Sequence, residues 1–164
     1  MITSSDRLLQ NMLPVHPHLS LFEQSQLILD SFRRITGRDL LSSSCAAQYA
    51  ESLFFAPIAV VSHGVEADPV LNYGNRKALE LWEMDWEEFI RTPSRLTAEP
   101  VDREERDRLL ERVSRSGFID DYSGVRISKH GRRFRIDHAM VWNLIDPAGI
   151  YRGQAAAFEK WEYL

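Results

Sequence analysis

Apolar residues recur along the chain in two periods, and the change from one to the other divides it. Leu21, Ile28, Phe32 and Ile35 lie at helical spacing, between a capping box at Ser20 and Glu23 and a stop at Gly37. The pattern predicts a helix of about four turns over 21–36. Residues 45–55 follow a polar turn and read as a second helix, with Ala46, Ala50, Leu53 and Phe54 on one side and Pro57 ending it. Both helices carry an apolar stripe that needs a neighbour, either the rest of the chain or a second copy. From residue 58 the period shortens: PIAVVSHG and PVLNYG are apolar, β-branched runs separated by Gly64 and Asp68-Pro69, the pattern of two adjacent strands.

The chain then turns at Tyr73-Gly74-Asn75 into interrupted helix. Asn75 is a cap for a short helix carrying Ala78, Leu79 and Trp82, and Asp85 with Glu88 is a second capping box for a turn carrying Trp86, Phe89 and Ile90. Asp102 with Glu105 repeats the box and predicts the start of a longer helix, in which Leu109, Leu110 and Val113 form a narrow stripe and Gly117 is the stop. Its other positions are charged, with Glu104–Arg108 and Glu111–Arg115 at i,i+4, and are read as a solvated face.

After Gly117 three strand-like runs are bounded by the turns SKHG and DPAG, so an antiparallel meander is expected. In the middle run strict alternation places Phe134, Ile136, His138, Met140, Trp142 and Leu144 on one face, against Arg133, Arg135, Asp137 and Asn143 on the other. In the first run Phe118, Asp120 and Tyr122 keep one phase while Val125 and Ile127 take the other, which predicts a bulge near Gly124.

Composition narrows the function classes. A chain of 164 residues, 44% hydrophobic, buries one core of ordinary size. Its 20 basic and 24 acidic residues are scattered and leave a net charge of -4, so no field exists to draw in nucleic acid or anionic lipid. No apolar run reaches membrane-spanning length and the first residues lack the pattern of a signal peptide, which points to the cytosol. Cys45 is the single cysteine, expected as a buried thiol, and cannot form an internal disulfide or a cysteine-based zinc site. HExxH, GxSxG, P-loop and GxGxxG patterns are absent. No kinase, cyclase or helix-turn-helix segment follows the last strand, so a signal is expected to leave through protein contacts or through a change in oligomeric state.

The order of elements resembles the PAS fold: α+β, a five-stranded antiparallel sheet with short helices closing over one face. The stretches LNYGNRKALELWE (71–83), PSRLTAEP (93–100), GFIDDYSGVRIS (117–128), GRRFRI (131–136), VWNLID (141–146) and GQAAAF (153–158) resemble more narrowly the MEKHLA-domain family. These are PAS-like domains found alone in bacteria and at the end of plant class III homeodomain-leucine zipper transcription factors; the stand-alone bacterial type fits this chain. The resemblance implies a helical extension over 1–56, a PAS-like domain over 57–164, and a sensory or ligand-binding role without a named ligand. It implies no strong signature for flavin or heme. TPSRLTAEP stands where a photoactive flavin domain carries its reactive cysteine, and no histidine lies between His63 and His130, where heme sensors of this class place theirs. His63 and His138 remain open as heme ligands from strands, and the cofactor is unknown.

Three readings follow. The first is a sensor with a small-molecule pocket between Trp82, Tyr122, His138 and Trp142, with Tyr73, Asn75, Arg126 and Met140 beside it and Arg95 clamping a carboxylate from the lid. His138 draws attention because an imidazole on an apolar face needs a partner or a ligand, and the aromatics offer flat, polar-edged surfaces. Trp82 and Trp86 would pack on the sheet as a displaceable lid. The second reading is a homodimer through residues 21–36 with a filled core and an unidentified protein partner. The third is a small enzyme pairing His138 with Asp120. Asp120 and Asp121 point to opposite faces and do not converge as a carboxylate pair, so a catalyst is not expected. Arg132, Arg133 and Arg135, with Arg126 across the hairpin, form a basic strip read as a solvated edge or an anion-binding surface.

Overall fold

The structure, a computed structural model, describes residues 13–14, 20–42 and 48–164. Helix α1 (Leu21–Thr36) begins where the Ser20 hydroxyl accepts from the Glu23 N–H at 3.1 Å and ends at Gly37, whose φ of 72° is left-handed. Helix α2 (Tyr49–Phe54) is shorter than the expected 45–55; Cys45 and Ala46 lie outside the described residues. Strands β1 (Ala59–His63) and β2 (Leu71–Gly74) pair antiparallel, and Asn75 then caps α3 (Arg76–Trp82). Asp85 accepts from the Glu88 N–H at 2.8 Å and opens the single turn α4 (Trp86–Phe89).

A 3-10 turn over Ser94–Thr97 leads into α5 (Pro100–Ser116). This helix starts two residues before the expected box at Asp102. Glu99 occupies the cap position without a side-chain bond and Pro100 is the first helical residue, because its fixed φ fits there and its missing N–H is no loss. The remaining strands are β3 (Phe118–Ile127), β4 (Arg133–Ile145), β5 (Tyr151–Phe158) and β6 (Lys160–Tyr163). Among the described residues these strands form one antiparallel sheet in the order β2-β1-β5-β4-β3, with β6 pairing β4. The sheet is therefore six-stranded where five strands were expected, since the last run breaks at Glu159 and resumes. No helix of the described residues is long and apolar enough to cross a membrane.

The break at Glu159 has a counterpart in β4. His138 sits at φ 49°, the left-handed region where His is better tolerated than bulky or β-branched residues. The pairing of Asp137 with Lys160 and of Met140 with Ala157 keeps one register through the break. The faces nevertheless exchange: Phe134 and Ile136 are buried on the side of α3, with Ala139 and Val141 following them, while Met140, Trp142 and Leu144 face α1. The single-face alternation expected for β4 is thus corrected, since an irregular residue in a strand inverts every position beyond it. In β3 the register shifts between Tyr122 and Gly124, where the phase change predicted it, and again between Ile119 and Tyr122.

The sheet is covered on both sides. Ile28, Leu29 and Phe32 of α1 are buried against Trp142, Leu144, Ala155 and Ala157, so the neighbour of the first stripe is the chain's own sheet. Phe32 meets Trp142 edge-on at 4.9 Å, and the Trp142 indole N–H donates to the Ile28 carbonyl at 3.2 Å. Ile35 of the expected stripe is on the exposed side. Helices α3 and α4, the 3-10 turn and α5 cover much of the opposite face, with Trp82, Phe89, Leu109 and Val113 buried.

Candidate functional site

The second face does not close completely. Between the sheet, α3, the 3-10 turn and α5 lies a cavity of about 70 Å³, lined by Leu71, Trp82, Leu109, Ile136, Val141 and Phe158 and by the polar residues His63, Ser94, Arg106, Tyr122, Arg126 and Gln154. A water needs roughly 10–15 Å³ of such volume, so the space suits a compact molecule of a few non-hydrogen atoms.

Each polar side chain reaches the wall for a local reason. His63 ends β1 opposite Gln154, next to Gly153 at φ 121°; a Cβ on Gly153 would stand 2.0 Å from the His63 carbonyl oxygen. The His63 Nδ1 lies 3.0 Å from the Gly64 carbonyl, while Nε2 is buried near Gln154 without a well-formed hydrogen bond among the described residues. Burial pulls the imidazole below its ordinary pKa; the Gly64 contact opposes this and the Arg106 charge adds to it. The Gln154 amide donates to the carbonyl of Leu110 at 2.9 Å and to Asn143 Oδ1 at 3.2 Å, tying α5 to the sheet. Tyr122 folds along its strand because Gly124 has no Cβ; one built there would lie 2.2 Å from the Tyr122 hydroxyl. Trp82 adds an indole N–H that is buried without a partner.

Two arginines dominate the electrostatics. Arg106 of α5 is 5% exposed and donates to the Ser94 hydroxyl and, at 3.2 Å, to Asp107, a carboxylate 71% exposed. Arg126 of β3 is 8% exposed, donates to the Val125 carbonyl at 2.9 Å and lies 5.3 Å from the centre of the Tyr122 ring. Among the described residues no carboxylate pairs with Arg126. Burial lowers the pKa of Arg106, and the neighbouring Arg126 charge lowers it further. No group of three or more His, Cys, Asp or Glu side chains among the described residues is arranged to hold a metal ion.

Of the residues expected at a pocket, Trp82, Tyr122 and Arg126 line this cavity. The others lie elsewhere. Tyr73 and Trp142 are buried on the α1 face, with Met140 packed against the same cluster. Asn75 is a structural bridge: its Oδ1 accepts from the N–H groups of Val60 and Ala78 at 3.0 and 3.1 Å, and its Nδ2 donates to the carbonyls of Leu53 and Ile58 at 3.1 and 2.7 Å. Arg95 pairs with Asp68 at 3.2 Å in the open rather than clamping the pocket. His138 is not on an apolar face: its side chain is 73% exposed and its Nδ1 meets Asp137 at 2.9 Å, because the left-handed turn swings it outward. Asp120 is exposed as well, and Trp86 packs on Tyr73 and Phe54 rather than beside Trp82.

The arginine strip divides too. Arg126 points inward opposite Phe134, whereas Arg133 pairs with Glu99 and Arg132 lies over the Tyr163 ring. Sequence reasoning missed Arg106, Ser94 and Gln154, and considered His63 only as a metal ligand. One signal was available for Arg106, which falls three and seven residues before Leu109 and Val113, on the buried stripe.

Among curated proteins no sequence matches the chain. Among solved structures, the PAS domain of a protein from Colwellia psychrerythraea is similar at 16% identity, covering 72% of this chain and 95% of that one with a TM-score of 0.58. The light-state dimer of the fungal blue-light photoreceptor Vivid is similar at 14% identity, covering 79% and 89% with a TM-score of 0.55. The photo-excited form of Vivid covers 80% and 90% at the same identity and TM-score. Likeness at such identity carries the fold alone, and the fold is PAS-like, α+β with an antiparallel sheet. The MEKHLA domain matches residues 22–163, from the second residue of α1 to the last of β6, and the chain belongs to the MEKHLA domain family.

Proposed function

We propose that this protein is a PAS-like sensory module that binds a small molecule in the cavity between the sheet and α3–α5. The observation that carries the reading is a mostly apolar cavity bordered by two buried arginines, Arg106 and Arg126, whose one paired carboxylate among the described residues, Asp107, is largely exposed. Buried charges are nearly always paired, and the exceptions gather where a ligand supplies the partner. The similarity to a blue-light photoreceptor supports a sensory role for the fold, although the residues on this wall are the chain's own. Occupancy would be felt across the sheet: Ala155, next to the cavity-lining Ala156, packs under α1, so a shift in β5 changes what α1 rests on. An unidentified protein partner in the cytosol would read that change. A twin docked through residues 21–36 would have to displace the chain's own sheet, which puts the ligand reading ahead of the dimer.

Native mass spectrometry of the purified protein, followed by denaturing release, tests the proposal. A stoichiometric small molecule is expected in the wild type and absent from Ala139→Leu, which fills the cavity from the β4 wall. That variant should change stability by less than about 1.5 kcal/mol, because it adds volume to a void. Equal occupancy of both proteins would remove the cavity from consideration.

A further inference from the structure

We infer that the cavity is a receptor site for a short carboxylate, a compact anion on a small apolar body gripped between Arg106 and Arg126. The inference rests on the ligand reading above and gives that ligand its chemistry. Two guanidiniums, each more than nine-tenths buried, border a space whose remaining wall is mostly apolar. A buried charge is tolerated when it is paired and hydrogen-bonded. Among the described residues the only carboxylate bonded to either arginine is Asp107, which sits largely in solvent. Asp102, one turn before Arg106 on the same helix, makes no ion pair with it, and its buried Oδ2 has no hydrogen-bond partner. The two like charges also act on each other, with Arg126 among the causes that lower the Arg106 pKa. An anion between them answers both charges at once, and the planar fork of a guanidinium matches the two oxygens of a carboxylate.

The rest of the wall limits the size and shape of this ligand. Leu71, Ile136, Val141 and Phe158 give an apolar seat for a short carbon body, and the volume suits a ligand of a few non-hydrogen atoms.

The test is a melting-temperature titration at constant ionic strength with four probes: propionate, lactate, propionamide and inorganic phosphate. Saturable rises are expected with propionate and lactate and none with propionamide, since binding to the folded state alone raises its stability. Arg126→Gln and Arg106→Gln should each weaken propionate binding at least tenfold by calorimetry. Among the described residues the Arg126 side chain donates one hydrogen bond, to its neighbour's carbonyl, and rests on the Tyr122 ring, so Arg126→Gln decides the matter should Arg106→Gln fail to fold. Equal rises with propionate and propionamide would overturn the anionic head while leaving a ligand cavity. A rise with phosphate alone would overturn the carboxylate. No rise with any probe would overturn the inference, whereas the compound released from the purified protein decides the broader reading independently.

Discussion

The two faces of the sheet are built from the same strands and finished differently. On the α1 side the polar atoms are matched: the Gln24 amide donates to Ser62 at 3.1 Å, Ser31 both donates to and accepts from the backbone of Ile145, and the Trp142 N–H is bonded to Ile28. Tyr73 is the exception, fully buried beside Ser25 without a well-formed hydrogen bond, and burial pushes its hydroxyl ionisation far up. On the α3–α5 side a void remains, two guanidiniums sit with little counter-charge, and the indole N–H of Trp82 has no hydrogen-bond partner among the described residues. The α1 face is organised for stability. The other leaves a void and buried charges with little compensation, and such a face costs stability that the first must supply.

Mutations that break this contrast fall in a clear order of size. Trp142→Ala on the closed face should destabilise by about 3 to 5 kcal/mol, measured as a shift in the urea midpoint, because it opens a void among packed rings and removes the hydrogen bond to the Ile28 carbonyl. A loss below about 1 kcal/mol would mean that α1 is loosely held and the two faces are alike. Asn75→Ala comes next, at about 3 kcal/mol, since it takes the side-chain acceptor from the N–H groups of Val60 and Ala78 and a donor from the carbonyls of Leu53 and Ile58, at about 1 to 3 kcal/mol for a buried group left unsatisfied. Asn75→Asp should recover only part of this, because a carboxylate keeps the acceptor and loses the donors.

The smallest effect is a pH dependence on the open face. His63 has its pKa lowered in the folded state by burial first, with Arg106 adding to the effect and the Gly64 carbonyl and Glu66 opposing it. A base whose folded pKa is depressed is neutral in the fold, so its contribution is fully present above its unfolded pKa of about 6.5 and is lost as pH falls below it. Unfolding by urea at pH 7.5 and at pH 5.5 should therefore show a drop in stability that His63→Gln diminishes. An identical drop in the variant would assign the slope to other groups.

Much of the frame was legible along the chain. Ser20, Asn75 and Asp85 cap the helices they were expected to cap, and Gly37 and Gly117 end theirs, because a cap needs only residues three or four apart. Strand positions followed from β-branched runs between turn residues. Half of the expected pocket did not survive because one residue in β4 resets the alternation: His138 in a left-handed turn sends Trp142 to α1 and itself into solvent. Arg106 was hidden by its charged neighbours, which hold the exposed faces of α5, with Glu104–Arg108 at 3.3 Å.

Caps, turns and strand runs were set by neighbours in sequence, whose interactions are short-ranged and carry their own geometry. Which side of the sheet a residue joins was decided only when β4 met β6 beyond the bend at Glu159, and whether Arg126 lay on a surface or in a cavity was decided only when α5 crossed over it. A one-residue change of phase costs little locally and exchanges the two faces of a sheet, so the cavity and its charges belong to the packing of distant segments.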